Sequence, residues 1–127
     1  MQADRGPLAA DLWLIVGFIQ PFKLDEVTLA LERIAGFVGM TVSECRGFGH
    51  EKLEELRAGG ARSGGLIDFT PKMRIEVTVA DIDVADAVVD AIARTAHTGR
   101  RGDGKILRMH VDRVVRVRTL AEGASAL

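Results

Sequence analysis

The stretch Leu12–Ile19, LWLIVGFI, sets the first constraint on the fold. It is nearly unbroken in apolar character, contains Val and Ile, and is ended by Pro21. Such a run is too short for the roughly 20 residues that cross a bilayer. It reads as a central strand covered on both faces, closed by a residue that cannot donate to a ladder. The rest of the chain must supply the covers.

It does so in a repeating order. From Leu24, the apolar positions Leu24, Val27, Leu31 and Ile34 fall on one helical face, and Gly36 and Gly39 bracket the exit. MTVSEC, from Met40, alternates Met40, Val42 and Glu44 with Thr41, Ser43 and Cys45, as a second strand would. In KMRIEVTV, Met73, Ile75, Val77 and Val79 point one way and Arg74, Glu76 and Thr78 the other. Asp81 can cap a second helix with the stripe Val84, Val88, Ala91, Ile92. ILRMHV and VVRVRT then read as strands, the latter setting Arg116 and Arg118 on one side. The order strand, helix, strand, strand, helix, strand predicts an α+β, ferredoxin-like βαββαβ domain with one antiparallel sheet and both helices on one face. The helix-free face then needs a cover, and oligomerisation is the usual one.

One connection breaks the economy of this plan. Between the second and third strands, Gly47 to Thr70 intervene where a hairpin takes two to five residues. EKLEEL can form a helical turn, and RAGGARSGG after it is glycine-rich and aperiodic. A loop of that length is expected to be functional, mobile in the free protein and ordered by a ligand or partner; a tolerated insertion is the other reading.

The chain has 127 residues, 47% of them apolar and 28% charged, which suits a single domain with one core. We expect residues 1–12, MQADRGPLAADL, to be a flexible leader, 13–120 the domain and 121–127 a tail. No basic leader resembles a signal peptide, so a cytoplasmic protein is expected. Net charge is −1, but from Ala91 to Arg118 eight Lys or Arg face two acids. That local excess suits a small polyanion. Nucleic acid is not the expected partner, because aromatics amount to only 5%. Cys45 is the sole cysteine, which leaves no intrachain disulfide. His50, His97 and His110 show no metal-ligand spacing.

The basic excess centres on RTAHTGRRGDGKI, Arg94–Ile106. Gly99, Gly102 and Gly104 permit positive φ and let main-chain N–H groups approach an anion. Arg101 and Lys105 add charge suited to phosphate, and Asp103 fits among them if it orients a cation or an N–H group. The Walker A spacing is absent, and an ordinary surface turn is the competing reading. No nucleophile–base pair or carboxylate pair suited to catalysis is evident, so no enzyme is expected.

Taken together, IQPFKLDEV, GMTVSECRGFGHEK, DFTPKMRIEV, RTAHTGRRGDGKI and RVVRVRT resemble the PII signal-transduction family, collinearly over roughly residues 13–120. The resemblance implies a homotrimer that binds ATP, ADP or AMP in clefts between subunits. The loop at about 47–70 corresponds to the T-loop, which contacts a target protein, and about 98–105 to the B-loop. By position, Gly102, Asp103, Gly104 and Lys105 would hold phosphates beside Thr98 and Arg101, with Arg116 and Arg118 on the cleft's far wall. Thr41, Glu76 and Thr78 would line the adenine and ribose side, and Gly47, Phe48, Gly49 and His50 the T-loop base.

Three features depart from the family pattern: Gln20 in place of a lysine, Glu51 in place of a glutamine, and the absence of tyrosine. Uridylylation of a T-loop tyrosine is thereby excluded. The first two disfavour magnesium-chelated 2-oxoglutarate, since a charge near 4 Å is worth on the order of a few kcal/mol at intermediate dielectric. In this the chain resembles the variants associated with membrane transporters for bicarbonate or metals, and bicarbonate itself is a candidate small anion near Arg101. A slow ATPase on the same fold is the alternative from another class, and a structural or metal-binding trimer a third.

Overall fold

The computed structural model describes residues 11–59, 62–63 and 66–127. The apolar run forms β1, Trp13–Ile19. Pro21 opens a 3-10 turn, Pro21–Lys23, that leads into α1, Leu24–Glu32. β2 is Thr41–Gly47, and the long connection carries α2, His50–Arg57, where the sequence allows a helical turn. Two short strands follow, β3 Arg62–Ser63 and β4 Leu66–Ile67, then β5, Thr70–Val79. α3, Ile82–Ala96, and β6, Gly104–His110, complete the sheet elements.

The main sheet runs β2-β5-β1-β6 with every pairing antiparallel, so β1 is central as its apolar run requires. This is the ferredoxin-like α+β arrangement. β3 and β4 form a separate two-stranded unit within the long connection. The core gathers Ile15 and Ile19 from β1, Val27 and Leu31 from α1, Ile75, Val77 and Val79 from β5, and Ala85, Val88 and Ile92 from α3. Val16 points to the opposite face of β1 yet is only 1% exposed, so the middle of this strand is covered on both sides.

Local chemistry fixes the element ends. The Asp81 carboxylate accepts from the N–H groups of Asp83 and Val84, capping α3 as expected. Asp11 accepts from Trp13 Nε1 at 2.8 Å and from the Ile82 N–H at 3.3 Å. Leu12 is buried. The last two residues of the expected leader are therefore held against the domain, while residues 1–10 lie outside the described residues. At the same end of the sheet the Trp13 ring stacks on His110, with the Arg108 guanidinium over it. Residues 60, 61, 64 and 65, in the glycine-rich stretch expected to be mobile, also lie outside the described residues. Among the described residues no helix is long and apolar enough to cross a membrane.

One expected strand is absent. Val114–Thr119 contributes only a bridge, Val115 with Glu122, and Val117–Thr119 form a turn. The Leu120 N–H donates to the Arg116 carbonyl at 2.7 Å, the Arg116 N–H to that of Ala121 at 2.9 Å, and Leu120 has φ 60°. The segment thus satisfies its amides against itself instead of joining the sheet. Several of its apolar side chains stay outside, with Val117 88% and Leu120 75% exposed.

Ile92 joins α3 to the sheet, with its side chain 3.6 Å from where a Cβ on Gly17 would stand. Ile92→Ala should cost about 2–5 kcal/mol. In a urea titration this appears as a lower midpoint with little change in slope.

Candidate functional site

Strand alternation sorts the helix-free face into rows. Ser43, Arg74, Phe18 and Lys105 are cross-strand neighbours in one row, and Thr41, Glu76, Val16 and Leu107 in the next. Thr78, Leu14 and Met109 follow. Lys72 begins the same alternation at the end nearest the glycine loop, paired with Cys45. Rows of one face are roughly 7 Å apart. The face therefore offers Lys72, Arg74 and Lys105 at one end and Thr41, Glu76 and Thr78 beyond them. Arg74 lies 5.5 Å from the Phe18 ring and pairs with Glu76 at 2.8 Å. Lys105 forms no ion pair among the described residues.

The glycine loop between α3 and β6 is shaped by Asp103. Its carboxylate accepts from the Thr98 hydroxyl, from the Thr98 N–H at 2.6 Å, from the Gly99 N–H at 2.9 Å and from Gln20 Nε2 at 3.0 Å. The Thr98 hydroxyl in turn accepts from the Arg100 N–H. These donors, the Thr98 hydroxyl above all, hold the Asp103 carboxyl well below the usual carboxylate range. So the aspartate among the cations orients N–H groups, one of the two roles anticipated for it. His97 Nδ1 is 3.9 Å from the same carboxylate. Gly104 is obligatory: at φ 108°, an added Cβ would stand 1.7 Å from the Phe18 carbonyl oxygen. Gly102 has φ 86°, and its carbonyl accepts from Lys72 Nζ. A cavity of about 200 Å³ opens beside the loop, with Ile19, Ile92 and Ile106 in its wall and Asp103 and Lys105 among its polar groups.

The long connection meets this loop at its own base. Gly49 precedes α2, the Phe48 and Phe69 rings lie 5.6 Å apart, and Lys52 pairs with Asp68 at 3.6 Å. His50 pairs with Glu54 within the helix, and Glu51 reaches Arg101 of the glycine loop, 3.9 Å away.

Of the residues singled out in the sequence, Thr98, Arg101, Gly102, Asp103, Gly104 and Lys105 come together in or beside one loop. Gly47, Phe48, Gly49 and His50 lie where β2 passes into α2, and Thr41, Glu76 and Thr78 share the sheet face. Arg116 and Arg118 do not join them: Arg116 donates to the Leu127 carbonyl at 2.6 Å within the C-terminal segment. Lys72 was missed. Its alternation with Arg74, Glu76 and Thr78 was legible, but its capture by Gly102, thirty residues on, was not.

The family model for nitrogen regulatory protein P-II matches residues 13–121. The chain belongs to the P-II family. It is 47% identical to the nitrogen regulatory protein P-II of Klebsiella oxytoca and to P-II 1 of Escherichia coli K12. In each case the alignment covers 89% of this chain and 97% of the relative. The P-II of Rhizobium meliloti is 45% identical over the same shares. Among solved structures, Arabidopsis thaliana PII bound to citrate superimposes with TM-score 0.72 at 32% identity, over 93% of this chain and 94% of that one. The Bacillus subtilis GlnK–ATP complex has TM-score 0.72 at 22% identity, over 96% and 100%, and speaks for the fold alone.

The lowered Asp103 carboxyl gives this P-II chain a pH signature. Its stabilising effect is full above the pH at which the unfolded carboxyl ionises, about 4, and is lost as pH falls through the lower folded value. Asp103→Asn should therefore lower the melting temperature near neutral pH. Scanning calorimetry should show the gap to the parent chain narrowing below about pH 4.

Proposed function

We propose that this P-II chain is a non-enzymatic sensor whose glycine loop binds the phosphates of ATP, ADP or AMP at a seam between copies, and whose long loop carries the signal to a target protein. One observation carries the reading. The loop held open by Asp103 stands at the end of a sheet face that presents Lys72, Arg74 and Lys105, with Arg101 on the loop itself. Cations of this density, on and beside one glycine loop, suit a polyphosphate. Thr41, Glu76 and Thr78 stand one to two rows further along the face, where the nucleoside would lie. The Arabidopsis relative, whose structure is described as bound to citrate, supports small-polyanion binding in the family.

A homotrimer is part of this reading, and what the single chain leaves uncovered supports assembly. Leu107 and Met109 are 43% and 41% exposed on the helix-free face, and Val117 and Leu120 protrude from the C-terminal turn. Assembly would bury these groups and bring Arg116 and Arg118 of a second copy to the cleft. Sedimentation equilibrium should return three chain masses, and a lone monomer would remove the seam.

Gln20 gives its amide to Asp103, and Glu51 faces Arg101, so neither adds positive charge for a dianion. We therefore assign the effector role to the nucleotide and not to magnesium-chelated 2-oxoglutarate. The relatives' name favours a target in nitrogen metabolism over a membrane transporter. A sensor of this kind leaves ATP intact and needs only unequal nucleotide affinity for two loop states.

Titration calorimetry with ATP, ADP and AMP tests the reading: saturable heat is expected, and none from any of them would end it. Lys105→Ala should weaken ATP by about 10- to 100-fold, as loss of a charge-assisted contact does, and AMP by less.

A further inference from the structure

α2 is poorly anchored. It has eight residues, buries none of them, and is too short to be stable alone. Its position depends on ties near its start: the Phe48–Phe69 ring contact, the Lys52–Asp68 pair, and Glu51 on Arg101. The last differs in kind, because it joins the helix to the loop that we read as the phosphate cradle. Arg74 is paired by Glu76 and Lys72 by the Gly102 carbonyl, both from the sheet or the loop itself. Arg101 alone among these cations is paired by a carboxylate from the long connection.

We propose that Glu51 is an internal competitor for the phosphate tail: its carboxylate holds Arg101 in the free chain, and phosphoryl oxygens displace it, releasing α2 from the glycine loop. The proposal rests on the phosphate-cradle reading. A phosphate carries more charge than a carboxylate and offers more acceptor oxygens to the surrounding donors. Both anions at one arginine would repel each other. The pair is solvated, with Arg101 74% and Glu51 45% exposed, so it is weak enough for a ligand to break. The linkage is reciprocal: closing the pair lowers nucleotide affinity, and bound nucleotide lowers the population with α2 docked.

The test uses the full chain and its Glu51→Gln, Arg101→Gln and doubly substituted forms. Glu55→Gln, on the same helix, controls for net charge. Calorimetry gives ATP affinity, and amide hydrogen exchange over residues 50–57 reads the helix. Glu51→Gln should tighten ATP about two- to fivefold, Glu55→Gln less than about twofold. The gain should vanish in the Arg101→Gln background. ATP should speed exchange in α2 of the parent chain toward the rate of free Glu51→Gln. Unchanged or weaker ATP binding by Glu51→Gln, beside a parent chain that binds, overturns this inference and leaves the sensor reading standing. Protection of α2 by ATP does the same. Absence of binding by every form defeats both.

Discussion

A carboxylate set among cations holds the glycine loop in shape. Asp103 draws in two main-chain N–H groups, a hydroxyl and an amide, and thereby ties the end of α3 to the exit of β1. Without that negative centre, Arg100, Arg101 and Lys105 would repel one another across a short turn with little to fix its path. With it, the loop is formed before any ligand arrives, and the ordering entropy is met by folding instead of binding. The sheet contributes the rest: β1 seats Phe18 between Arg74 and Lys105, and the close approach at Gly104 sets where β6 begins.

The parts of this arrangement legible in sequence were those with a local cause. Alternation in KMRIEVTV placed Ile75, Val77 and Val79 in the core, and Asp81 ahead of an apolar stripe marked the start of α3. The basic glycine loop was legible as a unit because its members are contiguous. What escaped was long-range. Gln20 finds Asp103 across 83 positions, and Lys72 finds Gly102 across 30, distances over which residue type gives no pairing signal. Alternation in VVRVRT reported strand propensity faithfully, yet a strand also needs a partner edge, and within one chain the segment turns back on itself.

Family membership and geometry answer different questions. Similarity to nitrogen regulators across nearly their whole length fixes ancestry and fold. The distinctive chemistry lies in the side chains that meet the glycine loop, where a neutral amide and a carboxylate, Gln20 and Glu51, stand at two of its contacts. These set the charge balance at the loop without entering the apolar core, to which neither contributes.

The lone tryptophan stands at the other end of β1 from all this. Trp13 pairs with His110, whereas Ile19 pairs with Gly104 beside the loop, six residues or roughly 20 Å along the strand. With an imidazole on its ring and a guanidinium above it, the indole has a polar, fold-dependent environment. Its emission consequently reports whether the sheet is intact at the end remote from the glycine loop: a built-in optical gauge of integrity.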